Sequence, residues 1–115
     1  MNNLCYWEIP STDVVKSSDF YSKLFGWKME KSTDDYMMFE VEGGIRGGIQ
    51  LMKEKPGESV MVHIKVDDIP ATLKKVVELG GTVIKPRTEI GNDWGFWASF
   101  QDPGGCRSVA LWSKQ

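Results

Sequence analysis

The chain repeats its own punctuation at a spacing of 55 residues, and this constrains the fold more than any single motif. Tyr6–Gly26 reads YWEIPSTDVVKSSDFYSKLFG, and Met61–Gly81 reads MVHIKVDDIPATLKKVVELGG. Asp68 falls on Asp13, Leu79 on Leu24, Gly81 on Gly26 and Ile64 on Ile9. In each copy an apolar-rich strand meets an Asp suited to cap a helix, and the helix stops at glycine. A fixed internal period implies a repeated supersecondary unit whose copies bury a common core.

Around these anchors the chain predicts two βαβββ modules. In the first, Leu4–Ile9 is a strand ended by Pro10, and Val14–Phe25 is a helix with an apolar stripe of Phe20, Tyr21, Leu24 and Phe25. Strands follow at Trp27–Glu30, Tyr36–Val41 and Gly47–Lys53. The polar Glu54–Ser59 is the seam. In the second, Val60–Val66 is a strand and the next helix runs to about Leu79, with Ile69, Leu73, Val76 and Val77 inward. Further strands are expected at Thr82–Lys85, Trp94–Gln101 and Arg107–Trp112, with Lys85–Asn92 a surface loop or lid. The expected class is α+β: one domain over 1–115, module one about 1–55 and module two about 60–115, forming a cupped mixed sheet. A concave strand surface is where a ligand would sit.

Composition closes off several classes. A net charge of −2 and a pI near 5.4, with no dense basic run, argue against nucleic-acid binding. No apolar run reaches the roughly 18 residues of a membrane span, and the first residues do not resemble a secretory signal. Cys5 and Cys106 form no zinc pattern or disulfide framework. A cytoplasmic setting is the expectation. The Gly43-Gly44, Gly47-Gly48 and Gly104-Gly105 pairs match no phosphate loop and read as turns and bulges.

Three stretches carry a resemblance to a known family. They are Trp7–Trp27, with its FYSKLFG helix end, His63–Val83, and the FQDPGG turn at Phe100–Gly105. In order and spacing the chain resembles the vicinal oxygen chelate superfamily, which includes glyoxalase I, bleomycin- and fosfomycin-resistance proteins and extradiol dioxygenases. The resemblance implies the fold above, a small-molecule ligand, a homodimer, and a divalent metal held from the first and last strands of each module. Those positions fall on Tyr6, Gln50, Met61 and Val109. Val109 has no donor, Met61 offers a thioether and neutral Tyr6 is a poor ligand. The implied metal site is therefore read as absent and no cofactor is expected.

Two residues from each first-strand position stand Glu8 and His63, related by the same 55-residue shift. A carboxylate near an imidazole fixes its tautomer and supports acid–base work, so these are the candidate catalytic pair; structural hydrogen bonding is the plainer alternative. Tyr6, Gln50, Met61, Trp94, Phe96 and Val109 are the candidate ligand contacts. Five tryptophans in 115 residues would suit a flat apolar compound, although each alone is first a core residue. Two functions follow: a metal-free protein that binds and sequesters a flat aromatic molecule, or a glyoxalase-like lyase, isomerase or dioxygenase. The second would act through Glu8 and His63, or through a metal held by a set including Gln50.

Overall fold

The computed structural model describes residues 2–52 and 60–115, so Lys53 and the expected seam at Glu54–Ser59 lie outside the described residues. The elements are β1 (Leu4–Ser11), α1 (Val14–Phe25), β2 (Lys28–Thr33), β3 (Tyr36–Glu40), β4 (Gly47–Leu51), β5 (Met61–Lys65), α2 (Ile69–Glu78), β6 (Thr82–Glu89), β7 (Phe96–Gln101) and β8 (Val109–Ser113). This is βαβββ twice.

The repeat is physical. Asp13 caps α1 by accepting from the Lys16 amide, and Asp68 caps α2 by accepting from the Ala71 amide, each at 3.0 Å. Both caps hold nearly the same extended backbone. Pro70 sits in the first turn of α2, where a missing N–H costs nothing. The helix ends differ by one step. Gly26 takes the left-handed conformation after α1, whereas Gly80, not Gly81, does so after α2.

Contacts divide the chain into two compact units, Tyr6–Met61 and a second made of Val62–Gln115 with the residues before Tyr6. In the first, the strand order is β2-β3-β4-β1, with β1 parallel to β4 and the other pairs antiparallel. In the second, the order is β6-β7-β8-β5, with β5 parallel to β8 and the other pairs again antiparallel. The start of β1 belongs to the second unit. There the Lys65 amide donates to the Asn3 carbonyl at 2.8 Å, and the Cys5 thiol donates to the His63 carbonyl at 3.4 Å.

Each helix covers one face of its four-stranded sheet. α1 packs through Val14 on Phe39 and Ile49, with Trp7, Tyr21, Trp27 and Met29 against them. Trp27 stacks on Phe39 with centroids 4.7 Å apart, so it serves the core of its own unit. α2 packs through Ile69 and Leu73 on Val66, Ala98 and Leu111, with Phe96 and Phe100 against them.

Several expectations change. Val14 and Ser18 form the buried stripe of α1, while Phe20, Leu24 and Phe25 stay more than half exposed. Residues four apart share a helix face, and it is the turn containing Val14 that meets β4. Val77 is likewise exposed. β1 continues through Pro10 to Ser11. β6 continues through Pro86 to Glu89, so most of the supposed Lys85–Asn92 lid is strand. Proline is tolerated there because β6 is an edge strand with irregular register.

Candidate functional site

In the Tyr6–Met61 unit, strand alternation sends Trp7 and Ile9 to the helix side and Tyr6 and Glu8 to the opposite face. The register then fixes their neighbours. Glu8 stands beside Gly48, Gly48 beside Met38, and Met38 beside Glu30. In the next row Pro10 stands beside Gln50 and Gln50 beside Tyr36.

Gly48 leaves a gap in the first row, and Tyr36 fills it. Its ring lies over the glycine so closely that a Cβ there would overlap the ring and hydroxyl. From this seat the Tyr36 hydroxyl donates to Glu8 Oε2 at 2.8 Å. The same hydroxyl lies 2.7 Å from the Tyr6 hydroxyl, and since the Tyr36 proton goes to Glu8, Tyr6 donates that bond. Gly47 plays the corresponding part on the other face, where a Cβ would strike Phe39 and the Trp7 backbone. The Gly47-Gly48 pair is therefore strand rather than turn, and it seats one aromatic on each side.

The electrostatics follow from this packing. Burial, then the Glu8 charge and the bond to Tyr6, push the Tyr36 phenol far above its ordinary range. Burial also raises the Tyr6 phenol, with the Tyr36 bond and the Arg46 charge pulling the other way. Both phenols thus keep their protons at neutral pH. They are fixed hydrogen-bonding groups beside a carboxylate. Farther along the unit, Lys28, Glu40 and Arg46 line a shallow concavity of about 340 Å³ to which neither phenol contributes. The Tyr6–Glu8–Tyr36 geometry has the more specific chemistry, because its polar groups are already oriented by one another.

In the other unit, His63 pairs with Ala110 and Ala110 with Ser99, all three buried on the face away from α2. Trp112 and Trp97 form the adjacent row. Val109 pairs with Val62 and alternates with Leu111, which places it on the helix side. Phe96 also packs against the helix-side core. Trp94 precedes β7, and its carbonyl accepts from the Trp112 indole at 2.8 Å. Phe96 and Val109 thus lie on the helix side, Trp94 stands before the strand, and the side chains on the His63 face are Trp97, Ser99, Ala110 and Trp112. Met61 opens β5, two residues before His63. Glu8 and His63 belong to different units, and the polar partner found for Glu8 is Tyr36, which sequence reasoning missed. Cys106 is exposed, with its sulfur 3.5 Å from the Ser108 hydroxyl.

The glyoxalase-like domain family matches residues 8–108. The chain belongs to that family. A glyoxylase-like domain-containing protein of Didymella fabae is 31% identical over 93 residues, covering 73% of each chain. The anthracycline biosynthesis protein DnrV of Streptomyces peucetius is 31% identical across 95% of this chain, which spans only 46% of that protein. Among solved structures, the Mn(II)-bound glyoxalase of Novosphingobium aromaticivorans superposes with a TM-score of 0.76 at 15% identity, over 98% of this chain and 39% of its own. That likeness shows the fold alone.

The family's metal can be tested against the residues present. Among the described residues, no three His, Cys, Asp or Glu side chains converge to hold a cation. On the Tyr6 face the Glu8 carboxylate already accepts from Tyr36, with neutral phenols and the Gln50 amide around it, and Glu30 stands three strands away. A divalent ion needs charged or imidazole donors in number, so this face does not fit one.

Proposed function

We propose that this glyoxalase-like domain binds a flat, largely apolar small molecule without a metal, on the Tyr6–Glu8–Tyr36 face. The observation that carries this reading is the hydrogen-bonded chain from the Glu8 carboxylate through the Tyr36 hydroxyl to the Tyr6 hydroxyl, set on Gly48. Burying polar groups costs free energy unless they are satisfied. Here they satisfy each other, and the lone pairs left on the Glu8 carboxylate suit a hydroxyl on a ring. Met38 and Gln50 supply apolar and amide contacts on the same face. The relative named for anthracycline biosynthesis adds support, since an anthracycline is a planar fused-ring compound bearing such oxygens.

The test is titration of the protein with a dihydroxyanthraquinone, followed by calorimetry and tryptophan quenching. Saturable binding is expected. Tyr36→Phe and Glu8→Gln should each weaken it about tenfold, the size of one lost charge-assisted hydrogen bond. No binding to the unaltered protein, or equal binding to both variants, would overturn the reading.

A second reading is enzymatic. The Glu8 carboxylate is a general base, and once it has taken a proton the Tyr36 hydroxyl is released to donate to the developing oxyanion. Proton exchange at a carbon next to a ligand carbonyl, followed by NMR in deuterated buffer, would reveal it. Loss of exchange in Glu8→Gln with binding retained distinguishes catalysis from sequestration.

A further inference from the structure

We propose that the exposed face of α1 is a self-association surface, through which two copies of this chain pair with their α1 helices antiparallel. The surface lies on the helix side of the Tyr6–Met61 unit, so it does not depend on which ligand the Tyr6–Glu8–Tyr36 face takes.

Two stripes run side by side along α1. Residues four apart share a helix face, so Phe20 and Leu24 form an apolar stripe, and Asp19 and Lys23 a charged one beside it. Phe20 is 58% exposed, and Leu24 and Phe25 are each 57% exposed. The exposed ring of Phe20 is nevertheless fixed. It lies edge-on to Tyr21 with centroids 5.1 Å apart, Tyr21 stacks on Trp27 at 5.5 Å, and Trp27 stacks on the buried Phe39. An aromatic already held in place loses little freedom when a partner covers it, which suits it to anchor an interface.

The charges say what the partner is. Among the described residues the ion pair within 4.0 Å is Lys31–Asp34, so Asp19 and Lys23, although one turn apart, are not joined to each other. Both are exposed. A helix with an acid and a base on one flank is complementary to itself when reversed. The antiparallel alignment that lays Phe20 against the partner's Leu24 also brings Asp19 to the partner's Lys23, and the two-fold axis makes each contact twice. A parallel pair would instead set Asp19 against the partner's Asp19. Area sets the strength. Phe20, Leu24 and Phe25 together present roughly 300 Å² of apolar surface, taking about 150–250 Å² for a whole aromatic side chain. That is less than half of the ~800 Å² each partner gives to a standard interface, so the pair is a weak one, forming in the micromolar range.

The test is sedimentation velocity of the full chain from low micromolar to millimolar concentration. A reversible monomer–dimer equilibrium is expected. Phe20→Ser should weaken it about tenfold. Asp19→Lys and Lys23→Glu each place like charges across the axis and should also weaken it about tenfold, whereas an equimolar mixture of these two variants should recover a dimer at least as tight as that of the unaltered chain. All three positions are exposed, and circular dichroism checks that the fold is unaltered. A chain that stays monomeric throughout overturns the proposal and leaves the face to a different partner. A dimer that tolerates Phe20→Ser, or a mixture no tighter than either charge variant alone, overturns it too, by placing the contact elsewhere.

Discussion

Replacing Gly48 with alanine should change sign according to what residue 36 is. Gly48 has no positive φ, so its backbone accepts alanine without strain. In a bare strand the change would stabilise the protein by ~0.5–1 kcal/mol, because glycine loses more freedom on folding. In the native protein the new Cβ would overlap the Tyr36 ring and hydroxyl, and the ring must move. Overpacking costs about 1–3 kcal/mol. Moving the ring also breaks the 2.8 Å bond to Glu8, worth about 1.5–3 kcal/mol for a charged acceptor. Water reaches this half-buried site and recovers part of the bond, so the net loss should be about 2–4 kcal/mol. With Tyr36→Ala in place the obstruction is gone, and Gly48→Ala should be neutral or mildly stabilising. Urea denaturation of the four proteins forms a double-mutant cycle, with an expected coupling of about 2 kcal/mol or more. Gly48→Ala costing the same in both backgrounds would refute the claim that this glycine exists to seat Tyr36.

Alkaline pH should unfold the protein through the same cluster. Tyr36 and Tyr6 both ionise at higher pH in the folded chain than the ordinary value of 10.0. A raised folded pKa means stability that is full below about pH 10 and drains as pH climbs past it. Denaturation midpoints across that window should fall more steeply for the unaltered protein than for Tyr36→Phe; equal slopes would contradict the burial argument. The two caps make a matched pair: Asp13→Ala and Asp68→Ala should each cost about 1 kcal/mol in thermal unfolding, since each carboxylate serves one amide at the same distance. A large difference between them would mean that the repeat is geometric but not energetic.

Much of the fold was legible because its signals are local. Asp13 and Asp68 could be recognised as caps from sequence, since an Asx side chain has one amide within reach and the helix begins there. The βαβββ order followed from glycine and proline punctuation. The face assignment of the last strand was not local. A strand's side chains alternate, so an error of one residue moves every contact to the opposite side. The Asp102 carboxylate holds the Gly104 and Cys106 amides in a turn, but irregular backbone intervenes before β8 begins at Val109. The resemblance put a metal position at Val109, whereas Leu111, two residues on, lies in the helix-side core, which sets Val109 on that same face.

The missed residue, Tyr36, shows what a single sequence withholds. Nothing at position 36 distinguishes a tyrosine that begins a strand from one that organises a site. The information sits twelve residues away, in a glycine that interrupts β4 on the face of Glu8 and Gln50. A strand glycine lowers intrinsic stability, so its presence implies that some other group needs the space. Once the register is known, the only large side chain of β3 able to cover that space from the next row is Tyr36, and a phenol there reaches Glu8. Tyr6, Glu8, Tyr36 and Gly48 are thus one unit of design spread over three strands. Its chemistry is that of neutral phenols around a carboxylate, held together by the hydrogen bonds from Tyr6 through Tyr36 to Glu8.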